Sequence, residues 1–406
     1  AGTIFALTFL FISFRQMRFL PIGRPSGALL GAVLMVLFGV MTPEEAYRLV
    51  NWDTICLLLG MMIIAEHLRD AGLFERLTRR LGVTGSPFVL LVLVSVSSAI
   101  LSALLVNDTI CVVMTPLILA VCGARRLNPF PFLMALATSS NIGSALTLTG
   151  NPQNMIIGSI SNINYGRFIL LMGLPVALAL VTNLYLLWLY YRKQLTRPDA
   201  AAGKTFEGEI PHTRRLRIGA MALGVACYGF FAGYSMAFSA LAGAALVITL
   251  HRTDPKHILE RIDWSLLMFF AALFVVIGGL KTSGLTALGT NWALSFLTGD
   301  VISQAWKFSC VTLIGSNLFS NVPFVLLASQ AVFKLHSPDL FWCLLAYVST
   351  IAGNLTLFGS VANLIVAESA GDRCEIGFLN YARFGVVSTL LTLGTGIAVI
   401  IAILQF

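Results

Sequence analysis

Apolar runs close to bilayer length alternate with short polar breaks along the whole chain. Residues 26–41, 168–191 and 383–406 each approach the roughly 20 residues that an α-helix needs to cross a bilayer, so the pattern predicts an all-α polytopic membrane protein. Two further segments place polar residues at their centres: 86–123, with Asn107, Asp108 and Thr109, and 302–335, with Ser320, Asn321 and Pro323. Irregular backbone inside a bilayer is tolerated only within protein or beside water. Both segments therefore predict re-entrant hairpins rather than two full crossings. The serines of the first arm (Ser95, Ser97, Ser98, Ser102) also argue against a lipid-facing helix.

The same landmarks recur in order in two halves. Trp52 opens an apolar run that ends at Gly72-Leu73, and Trp264 opens one that ends at Gly284-Leu285. Ser102 precedes Asn107 as Ser316 precedes Asn321, and LTLTGNPQNMII (146–157) matches LTLFGSVANLIV (355–366), which pairs Gly150 with Gly359 and Asn154 with Asn363. These landmarks predict a first repeat over 1–191, with scaffold helices in 1–70, an interfacial helix over 71–83, a hairpin over 86–123, a broken helix over 131–165 and a final helix over 167–191. A cytoplasmic linker follows over 192–217. The second repeat, 218–406, has scaffold helices in 218–280, an interfacial helix over 284–298, a hairpin over 302–335, a broken helix over 339–370 and a final helix over 380–406. Each half crosses an odd number of times, so the second is inverted relative to the first.

Charge tests this threading. With the linker in the cytoplasm, every Lys and Arg except Arg48, Arg167, Lys281, Lys307 and Lys334 falls on the cytoplasmic side. A multi-pass protein of a bacterial inner membrane is the expected setting. Composition agrees: of 406 residues, 57% are hydrophobic and 11% charged, too apolar for a soluble core. Mean hydropathy is +0.88. The net charge of +8 sits beside helix ends rather than on one face, so nucleic acid is not an expected partner. The chain opens at Ala1 without Met, and a few residues are expected to precede it. The seven cysteines form no CxxC pair and no disulfide framework. No cofactor is expected.

The candidate site lies where polar groups are costly. Gly150 and Pro152 interrupt one helix and Gly359 interrupts its counterpart, freeing backbone groups near the midplane. Asn107, Thr109, Asn151, Asn154, Ser320, Asn321, Asn354, Thr356 and Asn363 supply amides and hydroxyls that both donate and accept, which suits a solute covered in hydroxyl groups. Asp108 is the one carboxylate centred in a hairpin. It is a proton-coupling candidate, a cap for hairpin amides, or a sodium ligand near Asn107 and Gly150. Ser102 and Ser316 are the further ion-coupling candidates. Asp53, Glu66, His67 and Glu368 lie near predicted helix ends and read as solvated or scaffold residues. No Lys or Arg lies at the hairpin tips or the breaks, although helix N-termini and sodium ions also hold carboxylates. The histidines form no triad or metal set, and there is no P-loop. A transporter rather than an enzyme is expected, and ATP energy would have to come from a soluble ATPase partner.

The segments VNDTICVVMTP (106–116), ALATSSNIGSALTLTGNPQNMIIG (135–158), SNVPFVLL (320–327) and GNLTLFGSVANLIVAE (353–368) resemble the ArsB/NhaD ion transporter superfamily. Residues 107–158 are most similar to plant silicic acid efflux transporters, with bacterial arsenite permeases as cousins. The resemblance implies an elevator-type transporter whose scaffold helices mediate a homodimer. It also implies proton-driven export of small hydroxy-metalloid solutes such as silicic, germanic or arsenious acid. The other readings are a sodium-coupled anion or dicarboxylate symporter and a sodium/proton antiporter. The chain departs from symmetry at Ser360, which stands where the first half has Asn151, and at Asn321, which has no Asp after it.

Overall fold

A computed structural model describes residues 1–13, 23–82, 86–195, 213–251 and 255–405, all helical apart from turns and short connections. Most of the predicted linker, 196–212 with Arg197, Lys204 and His212, lies outside the described residues, as do Arg15, Arg18 and Arg252. The first half contains α1 (Gly2–Ser13), α2 (Arg24–Leu37), α3 (Pro43–Leu49), α4 (Trp52–Asp70), α5 (Leu73–Gly82), α6 (Pro87–Leu104), α7 (Asn107–Arg125), α8 (Phe130–Ser144), α9 (Pro152–Ile160) and α10 (Tyr165–Leu195). The second contains α11 (Thr213–Phe231), α12 (Met236–His251), α13 (Pro255–Leu259), α14 (Trp264–Thr282), α15 (Leu285–Phe296), α16 (Val301–Phe319), α17 (Asn321–Val332), α18 (Pro338–Ala352), α19 (Val361–Ala370) and α20 (Phe378–Gln405).

Local chemistry sets these boundaries. Asn51 and Asp263 cap α4 and α14, each accepting from the backbone N–H three residues on, at 2.9 and 3.0 Å. Thr42 and Glu45 form a reciprocal capping box at α3. Gly72 and Gly284 turn the chain into α5 and α15 with φ of +82° and +76°. Only glycine adopts this left-handed backbone without penalty, which explains why a Gly follows each Trp landmark at the same distance.

Among the described residues α6, α7, α10, α14 and α20 are each long and apolar enough to cross a bilayer, and α3 with α4, bent by 55°, makes a further span. Helices from the two halves interlock in matching pairs. α4 packs on α12 and α11 as α14 packs on α2 and α1; α7 packs on α19 as α17 packs on α9; α6 packs on α8 as α16 packs on α18; and α10 packs on α20. At the centre, α8 is buried from Pro131 to Ser144 and α18 from Leu340 to Ala352. Asn183 fastens α10 to this centre, donating to Thr138 and Ser139 of α8 at 3.0 and 3.3 Å and accepting from Ser388 of α20 at 2.7 Å. The interior therefore has a polar axis inside an apolar jacket.

Candidate site at the hairpin tips and helix breaks

Each hairpin turns within one or two residues. Leu105 and Val106 join α6 to α7, and Ser320 alone joins α16 to α17, at φ +70° and ψ 154°. That backbone is strained for a residue with a side chain, and such strain concentrates at functional turns. Beyond each tip the next helix begins with asparagine: Asn107 in α7, Asn321 in α17.

The breaks in α8–α9 and α18–α19 are built alike. The Asn154 amide donates to the carbonyls of Ser144 and Thr147 at 3.3 and 2.9 Å, and the Asn363 amide donates to those of Gly353 and Thr356 at 2.7 and 3.2 Å. Counted from Gly150 and Gly359, these partners occupy equivalent positions. The two asparagines thus satisfy carbonyls that the break leaves without helical partners. The amide nitrogens of both residues therefore hold backbone, while Asn363 Oδ1 accepts from Asn141 at 3.0 Å and Asn154 Oδ1 is buried without a donor. Asn151 likewise caps α9, accepting from the Asn154 N–H at 2.9 Å and donating to the Ser144 and Thr350 hydroxyls at 2.9 and 3.2 Å. Asn354, 1% exposed, donates to the Thr138 carbonyl, and the Thr356 carbonyl accepts from Asn363. Ser102 and Ser316 are fully buried in the first arms of the hairpins, with hydroxyls that meet no partner.

Asn141, in the last turn of α8, ties these parts together. Its amide nitrogen donates to Asn354 at 2.8 Å and to Asn363 at 3.0 Å, while its carbonyl oxygen accepts from Asn107 at 3.0 Å and from the Ser360 hydroxyl at 3.2 Å. The Asn107 N–H donates to the Gly150 carbonyl at 3.1 Å, fixing the first hairpin tip to the first break. Asn107 Oδ1 and Asn321 Oδ1, at equivalent places on the two tips, are buried and meet no donor. An unpaired buried acceptor is costly, and these two point to a ligand that brings donors or positive charge.

A cavity of about 220 Å³ opens in front of this frame. The starts of four helices line it: Asn107 and Asp108 of α7, Asn321 and Val322 of α17, Pro152 and Gln153 of α9, and Val361 of α19. Helix N-termini carry partial positive charge and unpaired N–H groups, so the cavity favours oxygen-rich solutes. Gly359, Ser360 and Ser320 complete the polar wall, and Phe269, Phe270 and Phe358 supply an apolar one. An adjoining cavity of about 160 Å³ contains Thr109, Asp108, Glu66, Arg69 and Arg261. Asp108 borders both cavities and makes no hydrogen bond or ion pair among the described residues. The cavities lie at the linker end of the scaffold, because Asp70, at the end of α4, pairs at 3.3 Å with Arg215, in the last residues of the linker where α11 begins, and with Arg261, which shares the second cavity, at 3.8 Å.

The structure thus brings Asn107, Asp108, Pro152, Ser320, Asn321 and Gly359 to one cavity and Thr109 to its neighbour. Asn151, Asn154, Asn354, Thr356, Asn363, Gly150, Ser102 and Ser316 stand behind it. Two features lay beyond the sequence reading. Asn141 sits at the hub, although only its place in an apolar helix opposite a glycine break could have marked it. Arg24, from the start of α2, lines the cavity with Asp263, so a cation reaches the site although none lies at the hairpin tips or breaks. Of the two alternatives read for Glu66 and His67, solvated or scaffold, the structure shows scaffold burial, at 6% and 2% exposed: Glu66 pairs with Arg69 at 3.1 Å, and His67 Nδ1 lies 2.8 Å from the Ile63 carbonyl. His67 sits where α4 packs on α12, against the His251 ring, while Glu66 faces the cavity beside Asp108, where the i,i+3 arginine makes its burial tolerable.

Comparison with known proteins places this geometry. Residues 8–340 match the CitMHS family, described as citrate transporter. The Oryza sativa silicon efflux transporter LSI3 is 33% identical, with 98% of this chain and 96% of that protein covered. The Dictyostelium discoideum transporter arsB is 30% identical over 98% of this chain and 92% of its own length. Among solved structures, the Alcanivorax borkumensis YdaH transporter superposes with a TM-score of 0.59 over 99% of this chain and 96% of its own, at 16% identity. A multi-pass helical transporter rather than an enzyme, this chain belongs to the CitMHS citrate transporter family and, with it, to the ArsB/NhaD ion transporter superfamily.

Proposed function

We propose that the protein is a secondary active exporter of small neutral metalloid hydroxides, silicic acid above all, with germanic and arsenious acid as analogues. Proton antiport would drive it, with an elevator motion of the hairpins and broken helices against the scaffold. The observation that carries this reading is the set of amides and hydroxyls that shares the cavity with Asp108, Arg24 and Asp263, with two unpaired amide oxygens at the hairpin tips. Hydroxyl groups on a solute would donate to those oxygens and accept from helix N–H groups and from Gln153. The cavity has room for a solute of five heavy atoms with water to spare, since one water takes about 30 Å³ in the liquid. The silicon efflux relative supports the same substrate class.

Asp108 fits the coupling role because an ionised carboxylate at membrane depth needs a proton, a partner or water. In this scheme the linker faces the cytoplasm, the second half is inverted relative to the first, and the cavity is open to the cytoplasm. The scaffold helices α1, α2, α11 and α12 would mediate a homodimer, and energy from ATP would require a soluble ATPase partner. Proteoliposomes loaded with germanic or silicic acid, with an imposed pH gradient, test the proposal. Gradient-driven flux that collapses with a protonophore is the expected result; no flux of any metalloid hydroxide would overturn it.

One observation favours a second reading. Arg24 and four helix N-termini around one cavity would also suit a carboxylate, and the matched family is described as citrate transporter. A sodium-coupled anion symporter would give sodium-dependent thermal stabilisation and saturable binding of citrate or succinate. The same two measurements on purified protein separate the readings.

A further inference from the structure

The scaffold presents two equivalent faces, and only one holds the hairpin tips. At the linker end, Arg24, Pro25, Ser265 and Phe269 line the site cavity. At the other end, Met236, Ala237, Asp53 and Leu57 line a separate cavity of about 400 Å³. Counted from the starts of α2 and α12, Arg24 corresponds to Met236 and Pro25 to Ala237; counted from Trp52 and Trp264, Asp53 corresponds to Ser265 and Leu57 to Phe269.

The mobile parts meet these faces at different heights. On the linker side Leu266 shares both cavities with Val361, the first residue of α19. The equivalent pair on the other side would be Thr54 with Pro152, the first residue of α9. Instead, the Thr54 hydroxyl lies 3.3 Å from that of Ser159, and Asn51 donates to the Ser159 hydroxyl at 3.0 Å. Ser159 is two turns further along α9, about 10 Å at 1.5 Å per residue. The second cavity therefore has the shape of a berth that the hairpin tips and helix breaks leave empty in this state.

The two berths differ in charge. Asp108 now faces Arg24 from α2, Asp263 at the cap of α14, Arg261 just before it, and Glu66 and Arg69 from α4, while α19 adds only Val361 and Ile365. In the other berth the only charged residue among the described ones is Asp53, accompanied by the tyrosines Tyr165 and Tyr234.

We propose that Asp53 is a second coupling residue: it stands in the berth that Asp108 reaches in the opposite state and favours the neutral acid of Asp108 once it has arrived there. Arriving ionised, Asp108 meets the like charge of Asp53 with no cation among that berth's described lining and takes up a proton, whereas on the other side the like charges of Asp263 and Glu66 are offset by Arg24, Arg69 and Arg261. On the Asp53 side an O–H bond forms between the Asp108 carboxylate and a proton from water. On the Arg24 side that bond breaks and the proton returns to water. Each cycle moves one proton from the Asp53 side to the Arg24 side, opposite to the exported solute. The direction of coupling rests on the proposed function, whereas the existence and charge of the berth do not.

Paired cysteines distinguish the states in a background with Cys56 replaced by Ala. The pair Leu266→Cys with Val361→Cys should cross-link in the state described here, and Thr54→Cys with Pro152→Cys in the opposite state. Acidification should shift the population severalfold toward the second cross-link. Asp53→Asn and Asp108→Asn should each make the second cross-link as abundant at pH 8 as at pH 6, and Asp53→Glu should restore the pH response. An unchanged pH response in Asp53→Asn, or a second cross-link that never forms at any pH, overturns the proposal. Expected cross-linking without germanic acid flux in the same protein would overturn the substrate reading alone.

Discussion

The Asn141 amide nitrogen reaches the Asn354 carbonyl oxygen at 2.8 Å, and this bond joins the broken helix of one half to the broken helix of the other. The same side chain also holds Asn107, Asn363 and Ser360. Its removal should therefore act on stability before it acts on affinity. Asn141→Ala leaves buried amides unpaired at about 1–3 kcal/mol each. We expect a large fall in melting temperature in detergent, and a variant that melts with the wild type would refute the hub.

Asp108→Asn keeps the shape and removes the charge. Expression and thermal stability should stay near wild type, while pH-gradient-driven flux should be abolished in proteoliposomes. Unchanged gradient-driven flux would exclude Asp108 from coupling.

The two breaks should respond unequally to a methyl group. At Gly150 a Cβ would run into the Ser144 backbone, whereas at Gly359 its nearest neighbours are the Gly353 carbonyl at 2.8 Å and the Asn317 side-chain oxygen at 3.0 Å. Both sites meet backbone, which cannot give way cheaply, but at Gly150 the approach is closer and all three nearest atoms are backbone, so Gly150→Ala should cost at least the ~1–3 kcal/mol of ordinary overpacking, and Gly359→Ala less. Thermal unfolding of both variants measures the order; a reversed order would contradict the geometry.

Asn321 and Asn154 make a matched comparison. Asn321 lines the cavity with an unpaired oxygen, and Asn154 holds two carbonyls behind it. Asn321→Ala should weaken solute binding roughly tenfold, by about 1–2 kcal/mol for a lost hydrogen bond, with little change in melting temperature. Asn154→Ala should lower the melting temperature. Isothermal titration and unfolding curves on both variants test the division, which fails if the two behave alike.

Much of the frame was legible because spacing survives in sequence: the two Trp-to-Gly distances, the Ser-to-Asn steps and the two Gly breaks each encode a helix length or a turn. Direction was not legible. Asn154 and Asn363 carry the same amide as Asn107 and Asn321, and only the fold determines which amides meet backbone and which meet the cavity. Arg24 was hidden for another reason: it reaches the site through packing of α2 on α14, and no local pattern records that contact. For Glu66 the sequence left solvated and scaffold roles open, and only packing selected the buried one, with its partner Arg69 in the same helix turn.

The hub at Asn141 also bears on how the molecule is made. Its partners Asn354, Ser360 and Asn363 are synthesised some two hundred residues later, so the nascent first half enters the lipid with its central amide unmatched. Hydration or the insertion machinery must shelter that amide until the other half arrives. Biogenesis is thereby committed to a late docking step, and a polypeptide severed at the linker would regain its centre only when both pieces share one membrane.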